Sequence, residues 1–409
     1  MENNIADMLW PQNHSHPNIA TPNKQETDMP IHGNIIQYDE KRHGLAMRLW
    51  QGCPTIAVTR GGRLFAGWYS GGSREPSIMN YNLLVESRDG GLSWSKPLFI
   101  IEGLPQENLQ VLDIQLWMDP LERLWVCWVQ RDWKIRLDKP DHLSTWAVLC
   151  ENPDAEKLSF SEPVYLADGF LRCQPTALSD GRWLFCAYNG LHDSYAYAET
   201  ADAGKSFQPC KAGKRLGKPN FDESMILERR DGSLWMLSRT VGIGQLAECV
   251  STDGGHTWAG AFATTIPTPS TRFFLKRLKS GRVLLVNNHS STVRNCMTAF
   301  LSEDDGRTWP YSLLLDPRET SYPDVAEDAN GALYIVWDRG RTTFKEILIA
   351  RISEEDILAG KLVDYASYQG HLIAKAPTPY VNPDADAIKA SDKLWLDEIQ
   401  KTAYPKKLC

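Results

Sequence analysis

Several features are scarce in this chain, and each scarcity removes a class of protein. No stretch of about eighteen apolar residues occurs, so no membrane-spanning helix is expected. The opening Met1-Glu-Asn-Asn-Ile-Ala-Asp7 lacks the basic start and apolar core of a secretory leader. There is no CxxC, and no cysteine stands at zinc spacing from a histidine. The nine cysteines (53, 127, 150, 173, 186, 210, 249, 296, 409) are an odd number on largely apolar segments. That reads as reduced, buried thiols and a cytoplasmic setting. Positive charge is not in excess: the net charge of −7 argues against nucleic acid or an anionic membrane as partner. No metal and no organic cofactor is implied.

Aromatic residues and tight turns are abundant. Fifteen Trp and fourteen Tyr in 409 residues suit one large all-β domain that buries rings between sheets. The stretch Ser251-Thr-Asp-Gly-Gly-His-Thr-Trp258 reads as a turn between strands, capped by Asp253 and relaxed by two glycines. It recurs at Ser87-Arg-Asp-Gly-Gly-Leu-Ser-Trp94, at Ser302-Glu-Asp-Asp-Gly-Arg-Thr-Trp309 and, more weakly, at Thr200-Ala-Asp-Ala-Gly-Lys-Ser-Phe207. Asp202, Asp253 and Asp304 are spaced by 51 residues each. Asp89 and Asp202 are 113 apart, which leaves room for a degenerate copy at Cys150-Glu-Asn-Pro-Asp154. A period near 50 residues means one supersecondary unit per repeat, most often a propeller blade.

Six strand–turn–strand units follow from residue 50 onward, the first at Pro54–Val58 and Leu64–Trp68, the last at Pro323–Ala326 and Leu333–Val336. The expected fold is therefore all-β, a six-bladed propeller with short extra helices near the C-terminus. Residues 1–32 read as a flexible tail, 33–375 as the propeller, and 376–409 as a linker and surface helix packed on it. Within the tail and just beyond, His14, His16, His32 and His43 are too irregularly spaced for a metal site. Ile35-Ile-Gln-Tyr38 is a strand candidate that could complete the last blade and close the ring. Ser353 is the expected N-cap of a short helix. Lys389 to Lys401 is the expected surface helix, packing Leu394, Leu396 and Ile399 inward.

In a propeller the inner strands point one set of ends at a single mouth of the central channel. The residue just before each inner strand reads Cys53, Asp113, Gln174, Glu223, Arg272 and Tyr322. The residue after each second strand reads Tyr69, Val129, Tyr188, Arg239, Asn288 and Asp338. Convergent polar groups at the mouth of an apolar scaffold are the default site. Any one of them alone is more simply a hydrogen-bonded channel lining.

The repeated S-x-D-x-G-x-[ST]-W pattern is the Asp-box, and on it the chain resembles the sialidase (neuraminidase) superfamily over about residues 50 to 350. The box marks the fold and says little of chemistry. The resemblance implies a tyrosine nucleophile, matched by Ser321-Tyr322-Pro-Asp324, and a glutamate base, matched by Glu223. It also implies a grip of three arginines on the substrate carboxylate. Arg239 and Arg294 match two of them. The first is absent, because Gly52-Cys53-Pro54 stands where the family has Arg-Ile-Pro; Arg48, Arg74 or Arg272 could replace it. The family's acid is an aspartate on a first-blade loop, where this chain offers Glu75, with Asp113 as a second candidate. Further expected substrate contacts are Arg74, Arg272, Gln174, Tyr69, Asp338 and Arg339. The segment Trp337-Asp338-Arg339-Gly-Arg341 adds charges that the resemblance does not explain.

The chemistry is coherent on its own terms. A phenol is a poor nucleophile near neutral pH unless a carboxylate takes its proton as it attacks. A neutral phenol also avoids repulsion from an anomeric centre that bears a carboxylate. Guanidiniums suit that carboxylate in bidentate fashion. The leading expectation is an exo-glycosidase acting on a terminal acidic sugar, with a glycan or glycoside as partner. A lyase on uronic-acid-containing glycans and a non-catalytic glycan-binding propeller are the alternatives.

Overall fold

The computed structural model describes residues 31–135, 142–188, 193–217 and 221–377, together with Asp386, Lys389, Ala390, Asp392 and Lys393. The tail before residue 31, with His14 and His16, lies outside the described residues. So do Leu394, Leu396 and Ile399 of the expected surface helix.

The described residues form six antiparallel blades, each led by a strand that lines the central channel. In chain order the innermost strands are Trp50–Val58, Leu109–Met118, Thr176–Ala177, Met225–Glu228, Phe274–Arg277 and Ser321–Glu327. Each pairs with the next strand in sequence, so every blade is a meander built from local hairpins. Between blades the packing is aromatic and aliphatic, with Trp68, Trp125, Trp128, Trp146, Trp235 and Trp337 almost wholly buried. Each such ring contributes roughly 1.5–3 kcal/mol of burial energy.

The Asp-box turns share one hydrogen-bond scheme. The Asp253 carboxylate accepts from Ser251 Oγ at 2.8 Å, Thr257 N at 2.8 Å and Thr257 Oγ1 at 2.6 Å. Asp89, Asp202 and Asp304 repeat it with their own flanking hydroxyls. These bonds, led by that from Ser93 or Thr308, hold Asp89 and Asp304 down at about 2. The degenerate copy in the second blade differs. Asp154 reaches across to the first blade and accepts from Gly61 N at 2.9 Å, so it ties two blades together.

The ring closes otherwise than the sequence suggested. Asn34–Ile36 pairs with Phe99–Glu102 and becomes a fifth, outermost strand of the first blade, while the sixth blade draws all four strands from residues 321–375. Closure falls to side chains. Asp324, on the sixth inner strand, accepts from Thr55 Oγ1 at 2.6 Å, Ile56 N at 3.1 Å, Gln115 Nε2 at 3.1 Å and Gln174 Nε2 at 3.1 Å. One buried carboxylate thus joins four blades. After the sixth blade's third strand, Ser353 caps the helix Glu354–Ala359 through a reciprocal bond pair with Asp356.

The third blade is irregular. Its inner edge is split into Phe170–Leu171, paired with Ala187–Tyr188, and Thr176–Ala177, paired with Trp183–Leu184. Arg172 sits in the break.

Candidate active site

Three residues in or just before the inner strands have a backbone that side chains rarely adopt. Cys53, Glu223 and Tyr322 have φ of 55°, 42° and 57°. Such conformations cost of order 1–3 kcal/mol each and persist only where packing enforces them. Register shifts accompany those of Cys53 and Tyr322, between Gly52 and Thr55 and between Ser321 and Asp324, and a third shift lies at Asp113, between Leu112 and Ile114. Bulges of this kind re-aim a side chain out of the strand's alternation. Here they turn Tyr322 into the channel mouth and Asp113 beneath it, toward Arg172.

Tyr322 and Glu223 meet there although they are 99 residues apart. The phenol donates to Glu223 Oε1 at 2.6 Å. Arg172 Nη1 donates to the same Glu223 oxygen at 2.9 Å and to the phenol oxygen at 2.9 Å. From the other side Arg239 Nη1 donates to Glu223 Oε2 at 2.9 Å and to the phenol oxygen at 3.0 Å. Burial works to raise Glu223, but the Arg239 and Arg172 guanidiniums and the phenol outweigh it and hold the carboxyl at about 2. Burial and the adjoining Glu223 carboxylate push the Tyr322 phenol well above its ordinary range. An ionised carboxylate therefore faces a protonated phenol, and two guanidiniums are aimed at the oxygen on which negative charge would develop.

Glu75 comes from the segment between the first blade's second and third strands. Its carboxylate bridges Arg172 Nη2 and Arg341 Nη1, each at 2.8 Å. Burial raises its pKa, yet Arg341 and Arg172 outweigh that and leave it below the ordinary carboxylate value. The segment is held from behind by Asp392, whose carboxylate accepts from Ser73 N at 2.9 Å and Ser73 Oγ at 2.6 Å and also meets Ser77 Oγ.

Arg341 lies across the first blade, where a side chain at Gly52 would collide with it. Its Nε donates to Asp338 Oδ2 at 3.0 Å, and its guanidinium stacks over the Tyr322 ring at 4.1 Å. Arg294 approaches the same ring, 5.6 Å from its centre, and donates to Ser270 O at 2.9 Å. Among the described residues it has no carboxylate partner, and Arg239 Nε is buried without a hydrogen-bond partner. The resulting pocket holds about 320 Å³. Arg131, Arg172, Arg239, Arg294 and Arg341 contribute to its wall, with Glu75, Tyr322, Phe170 and Phe221.

The remaining sequence candidates are placed as follows. Asp113 is wholly buried beneath Arg172 and ion-paired with its Nε; burial raises it to about 6 against the pull of that guanidinium. Arg272 is buried and donates to the carbonyls of Arg172, Pro54 and Tyr322, so it pins the inner strands and does not reach the pocket. Asp338 accepts from Cys53 N at 2.8 Å and Ser321 Oγ at 2.6 Å, and so orients Arg341 from behind. Tyr69 is buried against Trp50 under the site. Arg74 is exposed and off the pocket wall. Arg339 turns outward onto Phe344 and pairs with Glu346 at 2.7 Å. Gln174 lies deeper in the channel on Asp324 and Val325 O.

Arg172 escaped the sequence reading, and Arg341 was met there only as an unexplained charge. Aligning the third blade on its apolar run placed Gln174 at the mouth, because the strand break that delivers Arg172 leaves no spacing signal. A lone arginine between Phe170-Leu171 and Cys173 was the available hint. Arg341 lies two residues beyond Arg339, and its reach into the first blade depends on the missing side chain at Gly52.

Comparison with known proteins places this fold. A model for the BNR repeat-like domain matches residues 119–335, just over half of the chain. The chain belongs to this BNR repeat-like family. A stretch of 141 residues is 30% identical to a sialidase of Micromonospora viridifaciens, covering 32% of this chain and 22% of that protein. The chain therefore matches about a fifth of the length of that curated relative. Among solved structures, the NanB sialidase of Streptococcus pneumoniae superposes with a TM-score of 0.60 at 15% identity, over 78% of this chain and 70% of that one. The leech intramolecular trans-sialidase gives 0.62 at 13% identity, over 81% and 71%. The six-bladed propeller of this BNR-family chain is thus the sialidase fold.

Proposed function

We propose that this BNR-family propeller is a glycoside hydrolase that removes a terminal acidic sugar, sialic acid or a close relative, with retention at the anomeric carbon. The observation that carries the reading is the Tyr322–Glu223 pair, set between Arg172 and Arg239 on strained backbone at the pocket floor. The names of the relatives, two of them sialidases and one a trans-sialidase, support the substrate class.

In the first step the Tyr322 oxygen bonds to the anomeric carbon, and its proton passes to Glu223 Oε1. The bond from that carbon to the leaving oxygen breaks, and Glu75, which must first take up a proton from solvent in the bound complex, passes it to this oxygen. In the second step water attacks the same carbon and gives a proton to Glu75. The tyrosine oxygen leaves and recovers its proton from Glu223. Arg172 and Arg239 stabilise the phenolate character that develops in both steps.

Arg239, Arg294 and Arg341 grip the substrate carboxylate. Arg341, reaching over from the sixth blade, stands in for the arginine that the first blade lacks. Asp113 is raised by burial but lies off the pocket wall beneath Arg172, so the acid role goes to Glu75. Eight unpaired cysteines among the described residues are in keeping with a reducing, cytoplasmic setting.

The test is product analysis by mass on terminal sialosides. Release of the free sugar acid supports the reading. An unsaturated or anhydro product would change the reaction class, and no turnover with retained binding would make the protein a lectin.

A further inference from the structure

Glu75 is placed oddly for an acid. In the free protein it is held ionised by two guanidiniums, each at 2.8 Å. Its contacts are instead those expected of a bound carboxylate. One oxygen goes to Arg172 and the other to Arg341, as a ligand carboxylate would be shared between two arginines. We infer that Glu75 is an internal stand-in for the carboxylate of the substrate, and that an acidic sugar entering the pocket displaces it from Arg341. This rests on the acidic-sugar reading above.

Three observations support it. First, among the acids of the site Glu75 has the most exposed side chain. Its side chain is 20% exposed, whereas those of Glu223 and Asp113 are fully buried. It stands on an irregular segment, while Glu223 and Asp113 lead or lie within inner strands. Second, the arginines lack carboxylate on one side only. Arg294 has no acidic partner among the described residues, and Arg239 Nε is buried and unpartnered. Arg341, by contrast, is satisfied by Asp338 and Glu75. An incoming carboxylate can meet Arg294 as it stands and needs Glu75 to yield Arg341. Third, Asp338 at Nε and Ser321 Oγ at Nη2 would keep Arg341 in place after the exchange, and Nη1, which Glu75 now occupies, would pass to the ligand.

The exchange has a chemical consequence. The charged and titratable groups around Glu75 are Arg172, Arg341, Asp113, Glu223, the Tyr69 phenol and the Cys53 thiol, whose sulfur is 4.0 Å away. Burial raises Glu75, and Arg341 together with Arg172 pulls it down. Once the sugar carboxylate neutralises Arg341, burial acts on Glu75 less opposed and favours its protonated form. Binding of the correct, acidic substrate would then generate the proton donor that the first step requires. A neutral sugar would leave Glu75 ionised and the site inactive.

The experiment is calorimetric titration of N-acetylneuraminic acid into the full chain, wild type and Glu75→Gln, with its methyl ester as control. Removing the internal competitor should tighten binding of the acid by roughly tenfold in Glu75→Gln, leave the ester unchanged, and lower turnover. Equal or weaker binding of the acid by a folded Glu75→Gln would overturn the inference and leave the proposed function standing. Failure of the acid to bind either protein would remove both. The wild type provides a check that needs no variant. In crystals soaked with the acid, Glu75 and Arg341 should separate beyond about 4 Å, the limit of an ion pair. An intact Glu75–Arg341 pair beside a bound sugar acid would also overturn it.

Discussion

The same six inner strands build two cavities of similar size, one at each end of the channel. Toward the C-terminal ends of the strands lies a space of about 350 Å³, and toward the N-terminal ends the arginine pocket of about 320 Å³. Size therefore does not separate them, but chemistry does. The first is walled largely by Ile56, Met225, Ile226, Phe274, Leu275 and Val325. Its charged groups are absorbed locally: Lys276 lies 4.0 Å from Glu327, and Arg277 donates to the Glu228 carbonyl at 3.0 Å. At the other end, charges from four blades surround one phenol, and both the phenol's own residue and Glu223 have φ above 40°. Strain and convergent charge are costs that a merely structural channel need not bear.

The comparison predicts unequal effects of mutation at the two ends. Arg172→Ala should be the most damaging change. It leaves Asp113, Glu223 and Glu75 short of a partner in a buried site and should cost about 3–5 kcal/mol of stability, with loss of turnover. Thermal and urea denaturation measure it. At the other end, Lys276→Met should leave turnover on a sialoside unchanged. A loss of activity there comparable to that of Arg172→Ala would erase the distinction between the two mouths.

Tyr322→Phe removes one oxygen while the ring still packs. Turnover should fall by about 10² to 10⁴ with little change in melting temperature. Glu223→Gln should lose a similar factor. The double variant should be no worse than the poorer single, because groups acting as a unit are not additive. Independent, multiplying losses would mean the two residues do not form a pair.

Glu223 also predicts a pH dependence of stability. Its ordinary value is 4.5, and in the folded protein it is held at about 2. The folded value is the lower one, so its contribution is fully present above about pH 4.5 and is lost as pH falls toward 2. The stability difference between wild type and Glu223→Gln should shrink across that window. A difference constant from pH 6 down to pH 2 would contradict the assignment.

The smallest effect is expected far from either mouth. Asp253→Ala opens one Asp-box turn, removing the bonds to Ser251 and Thr257. The melting temperature should drop modestly and turnover per folded molecule should hold. Complete loss of activity in a folded variant would make the Asp-box more than a turn.

What could be read from the sequence follows from what is periodic. The blade count, the hairpins and the turn chemistry repeat every 50 residues or so, and each copy supports the others. The position before each inner strand is a repeat position too, and for that reason Tyr322, Glu223 and Asp113 were within reach. Exceptions to the period were not. Asn34–Ile36 adds to the first blade and not to the sixth, a choice made by pairing with Phe99–Glu102 and absent from local pattern. Arg172 enters through a strand break, and Arg341 through a vacancy at Gly52. Arg272 looked like a substrate contact because it occupies a repeat position, but its length let it reach three carbonyls below the pocket instead.

The central claim is that the Tyr322 oxygen forms the bond to the sugar. It is tested most directly by treating the full chain with 2,3-difluorosialic acid, which slows release of a glycosyl-enzyme, and locating the added mass by peptide sequencing. The account predicts a single label on the peptide containing Tyr322, absent from Tyr322→Phe. A label on Glu75 or Glu223, or one that persists in Tyr322→Phe, would contradict it.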